Sequence, residues 1–405
     1  MQANPPAGGL RADAEAPPPV RAAADPATAT RRAWCEVDLG ALLRNARRVE
    51  ASAARPLLPM IKADAYGLGA VAVARALEAA DPWAYGVACV AEAEALRSAG
   101  IVRRIVCFTP LLRDELARAR ALHLTPALHR AEDVRAWAAS GGGAWHLGVD
   151  TGMHRAGVRW DSVDAALLDA VADHPPEGAF THFHSADEDD PTAAARANDL
   201  QVARFDAVLA RLPRRPTVVH AENSPAAARG PHPSRWDVVR PGIYLYGVAP
   251  VAAAPPDPVA HLRARVVDLR DVGDGEGVSY GHAWRAGGAR RIATAAVGYA
   301  DGYRRALSDR GVALLHGRLV PVAGRVTMDM TMFDVTDAPC AVGDVLTLLG
   351  ADGDRVLTVA DVAARGGLSP YELLVGLRLR VPHLYSSPMP ATEPPSGAAL
   401  AASRR

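Results

Sequence analysis

The sequence predicts an α/β fold class: a (β/α)8 TIM-type barrel followed by a mostly β C-terminal domain. Apolar strand-like runs alternate with Ala/Leu/Arg-rich helical segments over roughly 220 residues, the repetition a closed barrel requires. After about residue 260 the texture changes to Val/Thr/Ile-rich runs split by Gly, Pro and Asp, the mark of β structure. A length of 405 residues exceeds one ordinary small core and leaves room for both parts.

Taken in order, residues 1–32 are rich in Pro and Ala with scattered charges and read as a disordered leader, without the continuous apolar stretch of a secretory signal. The barrel is assigned to residues 33–258. Asp38 is placed to cap a first helix in which Leu42, Leu43, Ala46 and Val49 recur at helical spacing. The candidate strands are "LLPMI", "AYGVACV", "RIVCF", "LHLTPAL", "WHLGVD", "GAFTHF", "TVVHAE" and "VVRPGIYLYG". Helix-prone segments such as "AVAVARALEAA", "AEAEALRSAG", "DVRAWAAS", "DAALLDAVADH" and "ANDLQVARFDAVLARL" lie between them. The competing open doubly wound sheet carries a Gly-rich phosphate turn after its first strand, and "KADAYG" stands in that place here. The Pro/Ala linker "APVAAAPPDPV" leads into the β domain, assigned to 259–387, and residues 388–405 read as a disordered tail.

Charge and cysteine usage narrow the function classes. Acidic and basic residues balance at 45 each with no long basic block, so nucleic acid is not the expected partner. Cys35, Cys89, Cys107 and Cys340 stand singly in apolar surroundings, as reduced core residues of a cytoplasmic protein do. No apolar run approaches the roughly 20 residues of a membrane helix. A small-molecule substrate is the expected partner.

The chemistry of a barrel sits at the C-terminal ends of its strands, with phosphate sites built after strands seven and eight. Lys62 ends strand one, Arg155 lies just beyond strand five, and His182 ends strand six. Asn223 and Ser224 follow strand seven, while Arg240, Gly242 and Ile243 fall within strand eight. A buried, unpaired ammonium is expensive unless its pKa drops or it gains a covalent partner. A hydroxyl at Ser224 with free backbone N–H groups at Gly242 and Ile243 suits a phosphate, and an amine at Lys62 suits an aldehyde. Phosphate and aldehyde on one small molecule point to pyridoxal 5'-phosphate.

At these residues the chain resembles the alanine racemase family, whose members pair a pyridoxal-phosphate barrel with a β domain. The resemblance runs from about residue 32 to 385. It rests on an ordered set: "MIKADAYGLG", "GVDTGMHRAG", "THFHSADE", "ENS", "VRPGIYLYG", "VSYG", "GYADGY" and "GRVTMDMTMFDV". It implies an isomerase that interconverts L- and D-alanine, as D-alanine biosynthesis requires, with one base on each face of the substrate. Lys62 then holds the cofactor and serves the D-substrate, Tyr66 helps bind phosphate, and Tyr280 serves the L-substrate. Tyr280 is linked in such enzymes to His182 and Arg240, and Arg240 faces the pyridine nitrogen. A guanidinium does not readily give up its proton, so that nitrogen stays unprotonated. Related barrel decarboxylases set a carboxylate there, which makes Arg240 an argument for racemisation. The resemblance also implies a homodimer with shared active sites, to which the partner contributes Tyr280 and Met328. Met328 then meets the substrate carboxylate through its backbone N–H, Arg155 orients cofactor and carboxylate, Asp329 supports the network, and Tyr299 lines the entry.

Two positions depart from the family pattern. Gly148 stands where many members carry a carbamylated lysine, so a chloride or water is expected to replace that anion beside Arg155. Leu379 stands where the typical enzyme has a phosphate-binding tyrosine, which implies looser cofactor binding and room for larger side chains, with serine or a broader set of amino acids as the alternative substrates. Each residue also has a plain reading: Lys62 as a strand-end lysine reaching water, Tyr280 and Met328 as packing, Arg155 and Arg240 as ion-pair partners. His182 and His184 share a strand face as a zinc pair would, but no third ligand is apparent and no metal is expected. A metal-assisted D-amino-acid lyase and a non-catalytic cofactor carrier are the other classes; carriers resemble the barrel alone, so the second domain argues against them.

Overall fold

Eight parallel segments close into a ring. The computed structural model describes residues 30–188, 190–229, 233–249, 253–377 and 380–386. Within it, Tyr85–Val87, Ile105–Cys107, Leu124–Leu128, His146–Asp150, Gly178–Phe180 and Val218–His220 pair in parallel in that order. The first and eighth segments join through single bridges, Leu57 with Val239, Met60 with Gly86 and Asn223 with Arg240. Proline explains why these two are not full strands. Pro59 and Pro241 have no N–H to donate, so the ladder keeps only bonds such as Leu58 N–H to Val239 O (2.8 Å) and Ile61 N–H to Gly86 O (2.9 Å).

Several expected strand ends shift. His182 lies two residues beyond Gly178–Phe180, and Gly242 and Ile243 lie beyond the eighth segment, where Ile243–Tyr246 winds into a short 3-10 helix. An additional helix, Leu116–Ala121, fills the connection before Leu124–Leu128. Asp38 does cap the helix Leu39–Ala53, accepting from Ala41 N–H at 2.9 Å.

The strand Ala33–Asp38 leads straight into that helix like a barrel βα unit, yet it belongs to the other sheet. It pairs antiparallel with Ala260–Val272 and parallel with His383–Ser386. Its local pattern could not show this, because which sheet a strand joins is set by long-range pairing. Arg263 on the neighbouring strand ties it down through Glu36 at 2.9 Å. Ala260–Val272 is the hub of the β domain, pairing also with Arg290–Ala295 and Val345–Asp352, with register shifts in both ladders. A two-stranded ribbon, Gly277–Val278 with Trp284–Arg285, holds out the turn that carries Tyr280. One hydrophobic core cluster runs through barrel and sheet alike, and the described residues from Arg32 onward belong to one compact unit. No helix among the described residues is long and apolar enough to cross a membrane. Residues 1–29 of the leader, the tail 388–405 and Leu379 lie outside the described residues.

Asn45, fully buried on Leu39–Ala53, fixes the path toward the β domain. Its amide donates to Asp257 O (2.9 Å) and Leu245 O (3.3 Å) and its carbonyl accepts from Asp257 N–H (2.8 Å). Removing it strands buried polar groups, so Asn45→Ala is expected to lower unfolding free energy in urea by about 1–3 kcal/mol. Arg47→Ala, on the exposed side of the same helix, should stay within about 0.5 kcal/mol of the parent.

Candidate active site

A cavity of about 480 Å³ opens at the C-terminal ends of the barrel strands, within the size range of small-ligand sites. Lys62, Tyr66, Arg155, His182, Asn223, Ser224, Arg240, Gly242 and Ile243 all line it. A larger hollow of about 630 Å³ adjoins it across His129, Asp150 and Arg155 but contains neither Lys62 nor Arg240, so those two meet only in the smaller one.

Lys62 is the only lysine in the chain; every other one of the 45 Lys and Arg residues is arginine. Where charge alone matters this sequence uses a guanidinium, and it keeps one primary amine where the first barrel segment ends. The residues after it, Ala63 to Tyr66, all have positive φ, from 51° to 56°, forming a left-handed turn that closes on Gly67 at φ 88°. That turn buries Tyr66 against Tyr246, with ring centroids 4.6 Å apart. Burial first, and then the Arg155 cation, lower the pKa of the Lys62 ammonium, while Glu92 opposes them.

Opposite the lysine is a small polar cradle. Asn223 caps the short helix Ser224–Ala227 and donates to Phe183 O at 3.1 Å. Ser224 Oγ accepts from Gly242 N–H at 2.7 Å and Tyr244 N–H at 3.3 Å. The expectation of a free Gly242 amide is therefore corrected: Ser224 takes it, because the chain turns beyond the eighth segment instead of continuing as a strand. A Cβ at position 242 would lie 2.3 Å from Tyr66 Oη, so only glycine lets that hydroxyl into the cradle.

Arg240 is buried at 4% exposure. It donates to Thr181 O (2.8 Å), Ala221 O (2.9 Å), His220 Nδ1 (2.8 Å) and His182 Nδ1 (3.2 Å). Burial pulls its pKa down to about 9, opposed by Glu222, so it remains a cation at neutral pH. A guanidinium only donates, so both histidines accept on Nδ1 and carry their protons on Nε2. His220 passes the pattern on to His146 Nδ1 at 2.8 Å, and the His146 ring then faces Glu177 at 3.8 Å. Burial, followed by Arg240, holds His182 down to about 3 and His220 well below the ordinary range, so both are neutral. His182 and His184 do not act as a pair: both lie past the strand, and the Nδ1 of His184 bonds Ser185 Oγ instead.

Arg155 lies in the loop after His146–Asp150, where Asp150 accepts from Gly152 and His154 N–H groups, both at 3.0 Å. Among the described residues it forms no ion pair. Gly148 offers it no side chain, and a Cβ there would meet Phe180 at 3.3 Å and His129 at 3.5 Å. Those rings occupy the flank of the position.

Four expected residues are not brought to this cavity, among them Tyr299, which is exposed on the β domain. Tyr280 is 70% exposed and Met328 53% exposed on the β domain, and Asp329 pairs there with Arg380, which also holds Asp301 at 2.7 Å. Other residues at the site escaped the sequence reading. Gln201, fully buried on the helix Pro191–Arg211, donates to His182 O and Thr151 Oγ1 at 2.9 Å each and so sets the His182 segment. Tyr371, from the helix Pro370–Gly376, lines the cavity 6.1 Å from the Tyr66 ring. Neither has a local signal; the solitary lysine was the one cue the composition offered.

Residues 37–250 match the family described as "Alanine racemase, N-terminal domain" and residues 259–385 match "Alanine racemase, C-terminal domain". The alanine racemase of Sorangium cellulosum is 37% identical over 379 residues, covering 87% of this chain and 98% of that protein. That of Citrifermentans bemidjiense is 38% identical over 366 residues, covering 85% and 96%. Among solved structures, the alanine racemase from Streptomyces coelicolor A3(2) superimposes with a TM-score of 0.80 at 33% identity, covering 89% of this chain and 99% of that one. The E. faecalis alanine racemase gives 0.81 at 29% identity, covering 88% and 98%. With both domains matched in order and relatives of this identity aligned over nearly their whole length, the chain belongs to the alanine racemase family of isomerases.

Proposed function

We propose that this protein interconverts L- and D-alanine with pyridoxal 5'-phosphate, using Lys62 and Tyr280 as bases on opposite faces of the substrate. One observation carries the reading: the chain's only primary side-chain amine faces the same cavity as a Ser224–Gly242–Tyr66 cradle and a buried, charge-retaining arginine. The residues fit the cofactor. Tyr66 Oη fills the slot that a side chain at position 242 would close, and Ser224 Oγ lies beside it with the Ile243 amide, which as the first of the Ile243–Tyr246 turn has no partner inside that helix. These groups would hold the phosphate, and Lys62 the aldehyde.

When bound, the cofactor supplies an electrophilic carbon that joins amines and a ring that withdraws electrons from the substrate α-carbon. The rest is work for this chain. Lys62, its pKa lowered, reaches the free-base form more readily and takes or returns the α-proton on one face. Arg240 keeps its proton and its place through hydrogen bonds to strand-end carbonyls and two histidines, so it offers positive charge without acid catalysis at the ring nitrogen. His182, with Nδ1 engaged by Arg240, has Nε2–H to donate to a phenolate, the means by which a tyrosine can act as a base at neutral pH. Arg155 provides a cation for the substrate carboxylate.

The second base comes from a second copy. Tyr280 and Met328 lie exposed and outside the chain's own cavity, which supports a homodimer in which the partner subunit's Tyr280 completes each site. A soluble cytoplasmic setting agrees with a small amino-acid substrate and with cysteines that are all free.

Lys62→Ala is expected to abolish the visible absorbance of the reconstituted protein, and an unchanged spectrum would refute the assignment. Tyr280→Phe should suppress solvent-deuterium incorporation from L-alanine far more than from D-alanine; equal losses would contradict the two-base division. Gly242→Ala should weaken cofactor binding by roughly tenfold, about 1.4 kcal/mol, in a fluorescence titration, and unchanged affinity would remove the cradle. Enantiomer exchange assayed with alanine, serine and larger amino acids decides the breadth of the substrate range.

A further inference from the structure

The turn that presents Lys62 is strained. Ala63, Asp64, Ala65 and Tyr66 have φ values of 51°, 55°, 53° and 56°. A left-handed backbone costs a non-glycine residue about 1–2 kcal/mol and is ordinarily adopted by single residues. Four in succession persist only where their surroundings over-determine them. Most of the turn is held by its own backbone: Ala65 N–H donates to Ile61 O (2.8 Å), Gly67 N–H to Ala63 O (2.9 Å) and Gly69 N–H to Asp64 O (2.9 Å). The Asp64 side chain adds a bond from Ala70 N–H at 2.7 Å.

The leading amide, Ala63 N–H, is among those that a first helical turn leaves without an internal acceptor. Its acceptor comes from another element. Glu92, in the first turn of the helix Val90–Ser98, accepts Ala63 N–H on Oε1 and Ala88 N–H on Oε2, both at 2.7 Å. An acidic residue at this point of a helix ordinarily turns back on its own N-terminus. Here it spans from the residue after Tyr85–Val87 to the residue after Lys62, continuing the junction of barrel segments one and two beyond their last bridge, Met60 with Gly86.

We infer that Glu92 is a positioning residue for Lys62: one carboxylate, gripping the amide after Lys62 and the amide after the second barrel strand, fixes the plane from which the amine is presented. The peptide unit is planar, so holding Ala63 N–H also holds the Lys62 carbonyl and thereby the direction of the Lys62 side chain. The same carboxylate is the negative charge that opposes burial and Arg155 at the Lys62 ammonium. Glutamine cannot replace it, because one end of its amide would turn N–H groups toward an N–H. Aspartate keeps the charge but is one methylene short of spanning both amides.

This inference rests on the reading of Lys62 as the reacting amine, and the test separates the two. Because there is no other lysine, Lys62 and the N-terminal amine are the only primary amines for acetic anhydride to acylate, and peptide mass identifies the Lys62 product. The full-length wild type, Glu92→Gln, Glu92→Asp and Glu94→Gln are compared for the pH midpoint of Lys62 acylation and for kcat and KM after reconstitution. Glu94 is two residues away, exposed and paired with Arg118, and serves as the charge control. Loss of the Glu92 carboxylate leaves burial and Arg155 less opposed, so the ammonium pKa falls further and acylation begins at lower pH. Glu92→Gln should show that downward shift with kcat reduced roughly 10- to 100-fold by misplacement. Glu92→Asp should hold the midpoint near wild type while kcat falls, and Glu94→Gln should match wild type in both. An unmoved midpoint or an undiminished kcat in folded Glu92→Gln overturns the inference. If that variant does not fold, as judged by circular dichroism, wild-type kcat in Glu92→Asp overturns it instead. A wild type that binds no pyridoxal phosphate and racemises nothing would remove the functional reading, while the acylation midpoints would still decide whether Glu92 governs the amine.

Discussion

The site is organised around a guanidinium buried in the mouth of the barrel. Arg240 stands nearly free of solvent, and a buried cation is tolerable only when its donors are taken. The acceptors are the carbonyls of Thr181 and Ala221 and the Nδ1 atoms of His182 and His220, so the sixth, seventh and eighth barrel segments are drawn to one point. Because arginine only donates, it also dictates where two histidines carry their protons, and through His220 it reaches a third, His146. A single side chain thus fixes geometry, charge and tautomers at one end of the cavity.

The opposite end is fixed by backbone. A left-handed turn after the first barrel segment points Lys62 inward and lays Tyr66 over Gly242, where the lack of a side chain admits the phenol. The two ends oppose each other because the ring closes: the first segment sits beside the eighth through the bridge between Leu57 and Val239. Pro59 and Pro241 weaken both ladders, so the ring closes there through single bridges and not through regular pairing. The β domain contributes in another way. It takes in the strand before the barrel's first helix, shares one core with the barrel, and leaves Tyr280 and Met328 on its surface.

Much of this was legible in the residues. Alternating apolar runs indicated the barrel, and six of the eight runs contain regular strands. The rule that chemistry gathers where barrel strands end placed eight of the expected residues at one mouth, the family resemblance added Tyr66, and all nine line one cavity. Strand ends were less legible. Gly242 and Ile243 sit in an apolar run that looks continuous, yet Pro241 ends the ladder and the run bends into a 3-10 turn. Ala33–Asp38 has the local look of a barrel strand, because alternation reports burial of one face and not the identity of the sheet. Glu92, Gln201 and His220 carry no recognisable spacing, since each acts on a neighbour brought near by folding.

By itself the sequence determined the order of elements, the family, and the placing of the one lysine amine in a chain whose other permanently charged cations are guanidinium groups; those are properties of residue type and spacing, which a linear string records. Only the tertiary structure decided which donors meet which acceptors: that Ser224 takes the Gly242 amide, that Arg240 sets two imidazole tautomers, and that a glutamate on a neighbouring helix holds the turn under Lys62. Hydrogen bonds need atoms within about 3 Å at the right angle, and residues 30 or 60 positions apart in the chain reach that distance only after the ring has closed.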